Sequence, residues 1–214
     1  MFIGTLRPIP PYDFALSTKL ARLHSVLDVF REGEYWRALD MDGVVVLVRV
    51  VSRGTTEAPE LDVYRMSGPV NDAALLRHMV HMLGVESDMR PFYDHARRDA
   101  VLWPLVEPLY GLKHVRSASL FEALMVAVIE QQIALNLAQR GERWLLEWAG
   151  NRIEYNGETF YTFPKPERIA AASVEELLPL KITRIRMEVM RSVAQQIVDG
   201  AVNFDALRTV DAAM

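Results

Sequence analysis

Apolar and polar residues follow two regimes along the chain, and the change falls near Asp88. Glu34 to Leu39 is strand-like, Met41-Asp42-Gly43 makes a turn, and Val44 to Val51 is a β-branched run. Asp42-Gly43 is a hairpin signal, because the favoured two-residue turn needs positive φ at both central positions. A turn-rich stretch from Ser52 to Pro59 leads into Leu61 to Met66, whose alternation suits another strand. The spacing therefore predicts an antiparallel sheet. Helices flank it. Asp13 caps one with Phe14, Leu16, Leu20, Leu23 and Val26 at helical spacing, and Asn71 caps another with Leu75, Leu76, Met79, Val80 and Met82 inward and Gly84 at its close.

Beyond Asp88 the pattern turns helical: Asp99 to Leu109, Ser117 to Ala138, Glu142 to Trp148, Pro166 to Ala172, Ser173 to Leu178 and Thr183 to Val198. Ser173 and Glu176 form a capping box. One hairpin interrupts the helices, with Arg152 to Tyr155 and Thr159 to Phe163 on either side of Asn156-Gly157. The expected fold is α+β, with a sheet domain over residues 1–88 and a helical domain over 89–214.

Composition narrows the function classes. Half of the 214 residues are apolar, enough for a sizeable core, and no apolar run approaches the roughly 20 residues of a membrane span. The N-terminus lacks the basic and apolar segments of a secretion signal, so the expectation is a cytoplasmic protein with no membrane partner. Without cysteine there is no disulfide, thiolate metal site or cysteine nucleophile. A net charge of −4 and a pI of 5.8 weigh against nucleic-acid binding through a general basic field, yet a local set of amides and arginines suffices to hold phosphates.

The most informative segment is Ser119-Leu120-Phe121-Glu122 through Val128-Ile129-Glu130-Gln131-Gln132-Ile133-Ala134. Core packing accounts for Leu120, Leu124, Ala127 and Val128 on one face. Gln131 and Gln132 need partners or water at the end of so apolar a helix, and solvation is the plain account. This segment is similar to the 3-methyladenine DNA glycosylase II family of the helix-hairpin-helix superfamily. Pro10-Pro11-Tyr12-Asp13-Phe14, Gly111-Leu112-Lys113 and Phe163-Pro164-Lys165-Pro166-Glu167 resemble three further motifs of that family, in the same order. The helix from Arg184 to Gly200 resembles its next helix.

The resemblance implies a fold and a mechanism. The fold is an N-terminal sheet like half of a TATA-binding protein, followed by a helical glycosylase domain. The mechanism extrudes an alkylated base from double-stranded DNA, fills the gap with a wedge, and uses an aspartate against the charge on the sugar. Gln131 and Gln132 fall at the wedge, with Gln132 where some members carry an intercalating leucine. Tyr12 and Leu20 fall at the base pocket, although the family's residue at the second position is an aromatic and leucine offers no π face. No cofactor and no metal is implied.

The family's glycine-rich hairpin is expected after Gly200, and the chain holds no Gly-x-Gly. The catalytic aspartate is expected beyond Met214, so no residue here is assigned that role, and the expectation for these 214 residues is an inactive, incomplete helical domain. Asp205 and Asp211 stand too early and read as caps or surface.

Other constellations are weaker. His78 and His81 lie three apart with no recognisable third metal ligand. Asp94-His95 with Ser87 places no nucleophile, Asp40, Asp42 and Glu60 read as turn and edge charges, and Trp103, Trp144 and Trp148 read as packing aromatics. Two other classes fit the same sequence: a non-catalytic binder of damaged DNA, and a helical interaction protein without DNA. The family fold also implies that Val101, Leu102, Trp103, Leu105, Val106 and Leu109 lose cover here, which points to homo-oligomers through the helix around Trp103.

Overall fold

Positive φ at Glu32-Gly33 and at Asp42-Gly43 closes the two tight turns on either side of the longest pairing in the sheet. The computed structural model describes residues 1–202, with Arg22, Leu23 and His24 described by their backbone alone, so Asp205 and Asp211 lie outside the described residues. The turns join β2 (Val29–Arg31), β3 (Glu34–Met41) and β4 (Val44–Ser52), and with β1 (Phe2–Leu6) and β5 (Leu61–Ser67) they build an antiparallel sheet of order β1-β5-β4-β3-β2. β3 and β4 pair from Glu34 opposite Val51 to Met41 opposite Val44. The predicted strands are there. β1 and β2 carry no comparable alternation and were not expected; each is short and forms one edge of the sheet.

Residues on both faces of β3 are buried, among them Tyr35, Trp36 and Leu39. Arg37 is 1 % exposed and pairs with Asp28 at 3.2 Å, and the Tyr35 hydroxyl donates to the same carboxylate oxygen. Breaking so buried a pair by removing one partner costs about 3–5 kcal/mol. Asp13 caps α1 (Phe14–His24), accepting from Leu16 N at 2.8 Å, and Asn71 caps α2 (Asp72–Met82) with Leu75, Met79 and Met82 buried.

The expected boundary near Asp88 is corrected. Contacts divide the chain into one unit of Met1–Arg116 with Arg152–Phe160, and a second of Ser117–Asn151 with Tyr161 onward. Residues 89–116 stay with the sheet because Gly111 O accepts from Asp13 N at 2.7 Å and Lys113 N donates to Ser17 Oγ at 3.0 Å. The expected helix from Asp99 to Leu109 is also shorter. α3 (Arg90–Ala96), unforeseen, precedes α4 (Trp103–Val106) and a 3₁₀ turn at Glu107–Leu109, each opening on a proline near its first turn. The β6–β7 hairpin (Arg152–Tyr155, Glu158–Tyr161) packs within the first unit, where Trp36 lies 6.1 Å from Phe160 and 5.7 Å from Tyr155, ring centre to ring centre.

In the second unit the expected helix from Ser117 to Ala138 is two helices. α5 (Leu120–Glu130) ends at Gln131, and α6 (Leu135–Ala149) runs straight through Gly141, which the sequence pattern had set between two helices. That glycine is needed for approach, since a Cβ there would stand 2.9 Å from Leu180 O. α7 (Pro166–Ala170), α8 (Val174–Leu177) with its capping box, and α9 (Arg184–Val198) complete the unit around Met125, Ile129, Leu145, Leu177 and Met190.

Gly68, after β5, has φ +85, and a Cβ there would meet Val45 O at 2.4 Å. Gly68→Ala is expected to cost the first unit about 1–3 kcal/mol, since both its backbone conformation and its space exclude a side chain. Urea unfolding measures this, and a loss below about 0.5 kcal/mol, the range of neutral surface changes, would show that the loop moves aside freely.

Candidate functional site

In the first unit, the two Pro-Pro-Tyr-Asp and Gly-Leu-Lys motifs form one junction. Tyr12 N donates to Thr56 O at 2.8 Å, Asp13 N to Gly111 O, and Gly111 N to the Tyr93 hydroxyl at 2.9 Å. Gly111 has φ +86, and a Cβ there would stand 2.8 Å from Asp13 N. Only glycine fits. Lys113 is 3 % exposed; its Nζ donates to Ile9 O at 2.6 Å and lies 5.3 Å from the centre of the Tyr12 ring. Burial drives its pKa down to about 8, against a smaller opposing pull from Asp88.

Tyr12 is 2 % exposed and its hydroxyl has no hydrogen-bond partner. Burial, followed by the charge of Asp13, pushes its phenol above the ordinary tyrosine range. Leu20 is half-buried on α1. Both residues belong to the first unit, and Gln131 and Gln132 to the second.

In the second unit, α5 leaves its helix at Gln131, with ψ 124, and Gln132 has φ 53. Glu32, Asp42, Asn156 and Lys181 share that left-handed backbone, but the first three each precede a glycine in a tight turn whose type requires it and Lys181 closes the 3₁₀ turn at Leu178–Leu180. Gln132 has no such account. A non-glycine residue held there stores on the order of 1–2 kcal/mol, and such strain gathers at functional sites. Both glutamines are exposed, and so are Leu135 and Leu137 in the first turn of α6.

α5 and α6 bring three carboxylates into this unit. Glu122 and Glu142 are 4 % and 2 % exposed, and Glu130 is the last residue of α5. Burial first, then the charges of Glu130 and Glu122, push Glu142 up to about 7. The sequence reading missed this group, although an acid at the end of Val128-Ile129-Glu130, and another beside Gly141, were signals for it. It also missed Lys113 as a buried cation. His81 sits at the end of α2 with Nδ1 3.2 Å from Arg116 Nη1, and among the described residues no three His, Asp or Glu gather as metal ligands. Trp144 and Trp148 stack with ring centres 5.3 Å apart, with the Arg168 guanidinium 3.9 Å from the Trp148 ring.

Since its hydroxyl is buried and unpartnered, Tyr12→Phe is expected to leave the first unit equally stable or up to about 1 kcal/mol more stable. Urea unfolding of the variant checks this, and a loss of more than about 1 kcal/mol would mean that the hydroxyl has a partner in solution.

No protein-family model matches the chain. A DNA-3-methyladenine glycosylase of Bacillus subtilis (strain 168) is 30% identical over 133 residues, which are 62% of this chain and 44% of that one. A putative DNA-3-methyladenine glycosylase of the same organism, YfjP, is 23% identical over 200 residues, 92% of this chain and 67% of that one. Among solved structures, the 3-methyladenine DNA glycosylase from Archaeoglobus fulgidus superposes with a TM-score of 0.76 at 26% identity, covering 89% of this chain and 66% of that one. The chain thus matches somewhat under half to two thirds of the length of these proteins. In sequence and in fold alike it is similar to 3-methyladenine DNA glycosylases.

Proposed function

We propose that the chain works in DNA base-excision repair as a glycosylase-type protein that extrudes alkylated purines from double-stranded DNA. The observation that carries this reading is the Gln131-Gln132 turn. Two exposed amides sit on a strained backbone between two helices, at the place where the resemblance sets a wedge. Filling the gap of an extruded base asks for polar side chains held clear of their own domain on a stiff support, so that the unstacking is opposed at once by new contacts. Tyr12 and Leu20 are the proposed pocket residues of the first unit. A sheet domain over residues 1–88 followed by a helical one is kept only in the amended form, with residues 89–116 attached to the sheet. No helix among the described residues is long and apolar enough to cross a membrane, and the reading places the chain in the cytoplasm.

The test uses duplexes carrying an abasic analogue next to 2-aminopurine, whose fluorescence rises when it loses its stacking partner. The protein is expected to raise the signal on this duplex, and Gln132→Ala to weaken binding to it about 5–10-fold, equivalent to roughly 1–1.4 kcal/mol, while binding to intact duplex is unchanged. Equal affinity for intact and abasic duplex, with no rise in fluorescence, would overturn the reading.

We also propose self-association through the segment around Trp103. Val101 is 79 % exposed, Leu105 68 % and Leu109 42 %, whereas Val106 on the opposite face is buried against Tyr93 and Ala96. Contiguous apolar surface of this kind favours association. Light scattering is expected to show a concentration-dependent mass that Leu105→Glu with Val101→Glu returns to the monomer value; a wild-type monomer at all concentrations would refute it.

A further inference from the structure

Arg77 and His81 stand one turn apart toward the end of α2, so their side chains share a face of the helix, with Val80 beside them. Gly84, at φ +61, lets the chain reverse after the helix, and Ser87 N closes that turn on Gly84 O at 3.0 Å. Arg116 returns to the same place. Its backbone N donates to Met82 O at 2.8 Å, its Nη1 lies 3.2 Å from His81 Nδ1 and 3.4 Å from His81 O, and its Nη2 donates to Ser87 Oγ at 3.3 Å. Together Arg77, Val80, His81, Glu86, Ser87 and Arg116 line an open cleft of about 560 Å³.

Capping the last carbonyls of a helix is an ordinary task for arginine, and it accounts for the bond to His81 O. The other contacts exceed that task. A guanidinium only donates, so His81 Nδ1 is the acceptor of its contact with Arg116, and the imidazole is neutral with its proton on Nε2. His81 and Ser87 thus hold the Arg116 fork in one orientation while its Nε and one N–H of Nη2 carry no bond within the protein. Elsewhere in the first unit carboxylates take up most of the arginines, as Glu60 does Arg7, Asp62 Arg53, Asp72 Arg65 and Asp88 Arg90. Among the described residues neither Arg77 nor Arg116 has such a partner, although Glu86 lines the same cleft. Two cations on one small cleft repel each other, and an anion seated with them turns that repulsion into attraction on both sides.

The lining also sets the charge of the ligand. Two guanidiniums, one carboxylate and a neutral imidazole leave a single net positive charge. A phosphodiester carries one negative charge, whereas a phosphate monoester or free phosphate carries nearly two at neutral pH and would be repelled more strongly by Glu86. An internal phosphate of a strand can also enter an open cleft with the strand running out on either side.

We propose that this cleft binds one phosphodiester of the DNA backbone, with Arg116 as its fixed donor and Arg77 as its second cation. The inference rests on the reading that the chain binds DNA, and adds to it a contact on the first unit that touches no base and serves to position the duplex.

The experiment is fluorescence anisotropy of the full chain with a short intact duplex, between about 0.05 and 0.3 M KCl. Arg77 is exposed and makes no bond that folding needs, so Arg77→Gln is the variant that decides. It is expected to weaken binding about 5–10-fold at about 0.1 M KCl and to lower the slope of log affinity against log salt by about 1, the loss of one phosphate contact. Arg98→Gln, at an exposed arginine of the same unit outside the cleft, is expected to change neither quantity. A slope and affinity for Arg77→Gln equal to those of the wild type overturn the site. Replacing chloride by inorganic phosphate at constant ionic strength separates the two sources of the anion. If the difference between wild type and Arg77→Gln persists, the ligand is the backbone; if it disappears, the cleft takes free phosphate and the assignment is overturned. The slopes are read on intact duplex and extrusion on the abasic one. A flat 2-aminopurine signal would therefore leave the cleft standing, and equal slopes would leave the wedge standing.

Discussion

At Gly111 the chain passes so close to Asp13 that no side chain fits between them, and much of the first unit depends on that approach. The glycine accepts from Asp13 N and donates to the Tyr93 hydroxyl, so it fixes the start of α1 and the position of α3 at once. Tyr12 is buried as a result, with the Lys113 ammonium near its ring. Two short motifs far apart in sequence are thus one structural object. Each looks weak alone because half of its reason lies in the other.

How much was legible follows from the range of each interaction. The β3–β4 hairpin, the caps at Asp13, Asn71 and Ser173, and the inward residues of α2 are local, and local signals identified them. The edge strands β1 and β2 are defined by a neighbour rather than by their own alternation, which is why no pattern marked them. Gly141 misled for a related reason. A glycine reads as a break, but here it allows a carbonyl of a distant 3₁₀ turn to approach a continuous helix. The true break has no glycine or proline at all: Gln132 adopts the left-handed backbone under the constraint of the helices beside it. The resemblance singled out the two glutamines, whereas the buried acids of α5 and α6 depend on the packing of those helices and left no such mark.

The acidic composition also changes meaning. The formal charge of −4 counts every carboxylate as ionised. Glu142, pushed up to about 7, is largely uncharged at slightly acidic pH and about half charged at neutrality. Several arginines of the first unit are engaged by neighbouring acids, as in Arg65–Asp72, Arg49–Glu34 and Arg53–Asp62. Such partly exposed pairs contribute little to stability, and they leave those guanidiniums less available to phosphates. Any hold on a nucleic-acid backbone by this chain therefore rests on a few local donors rather than on a broad field.

The β6–β7 hairpin gives the chain an unusual order of construction. The polypeptide leaves the first unit after Arg116, builds α5 and α6 of the second, returns for residues 152–160 to cover Trp36, and then departs again. During synthesis the sheet can pair as soon as β5 has emerged, yet Trp36 lacks the aromatic cover of Tyr155 and Phe160 until some ninety residues later, a delay of roughly 5–20 seconds at about 5–20 residues per second. Neither unit is a contiguous stretch of gene. Cutting the chain at a single point cannot release either of them whole, and the two must be inherited, and exchanged between proteins, as one piece.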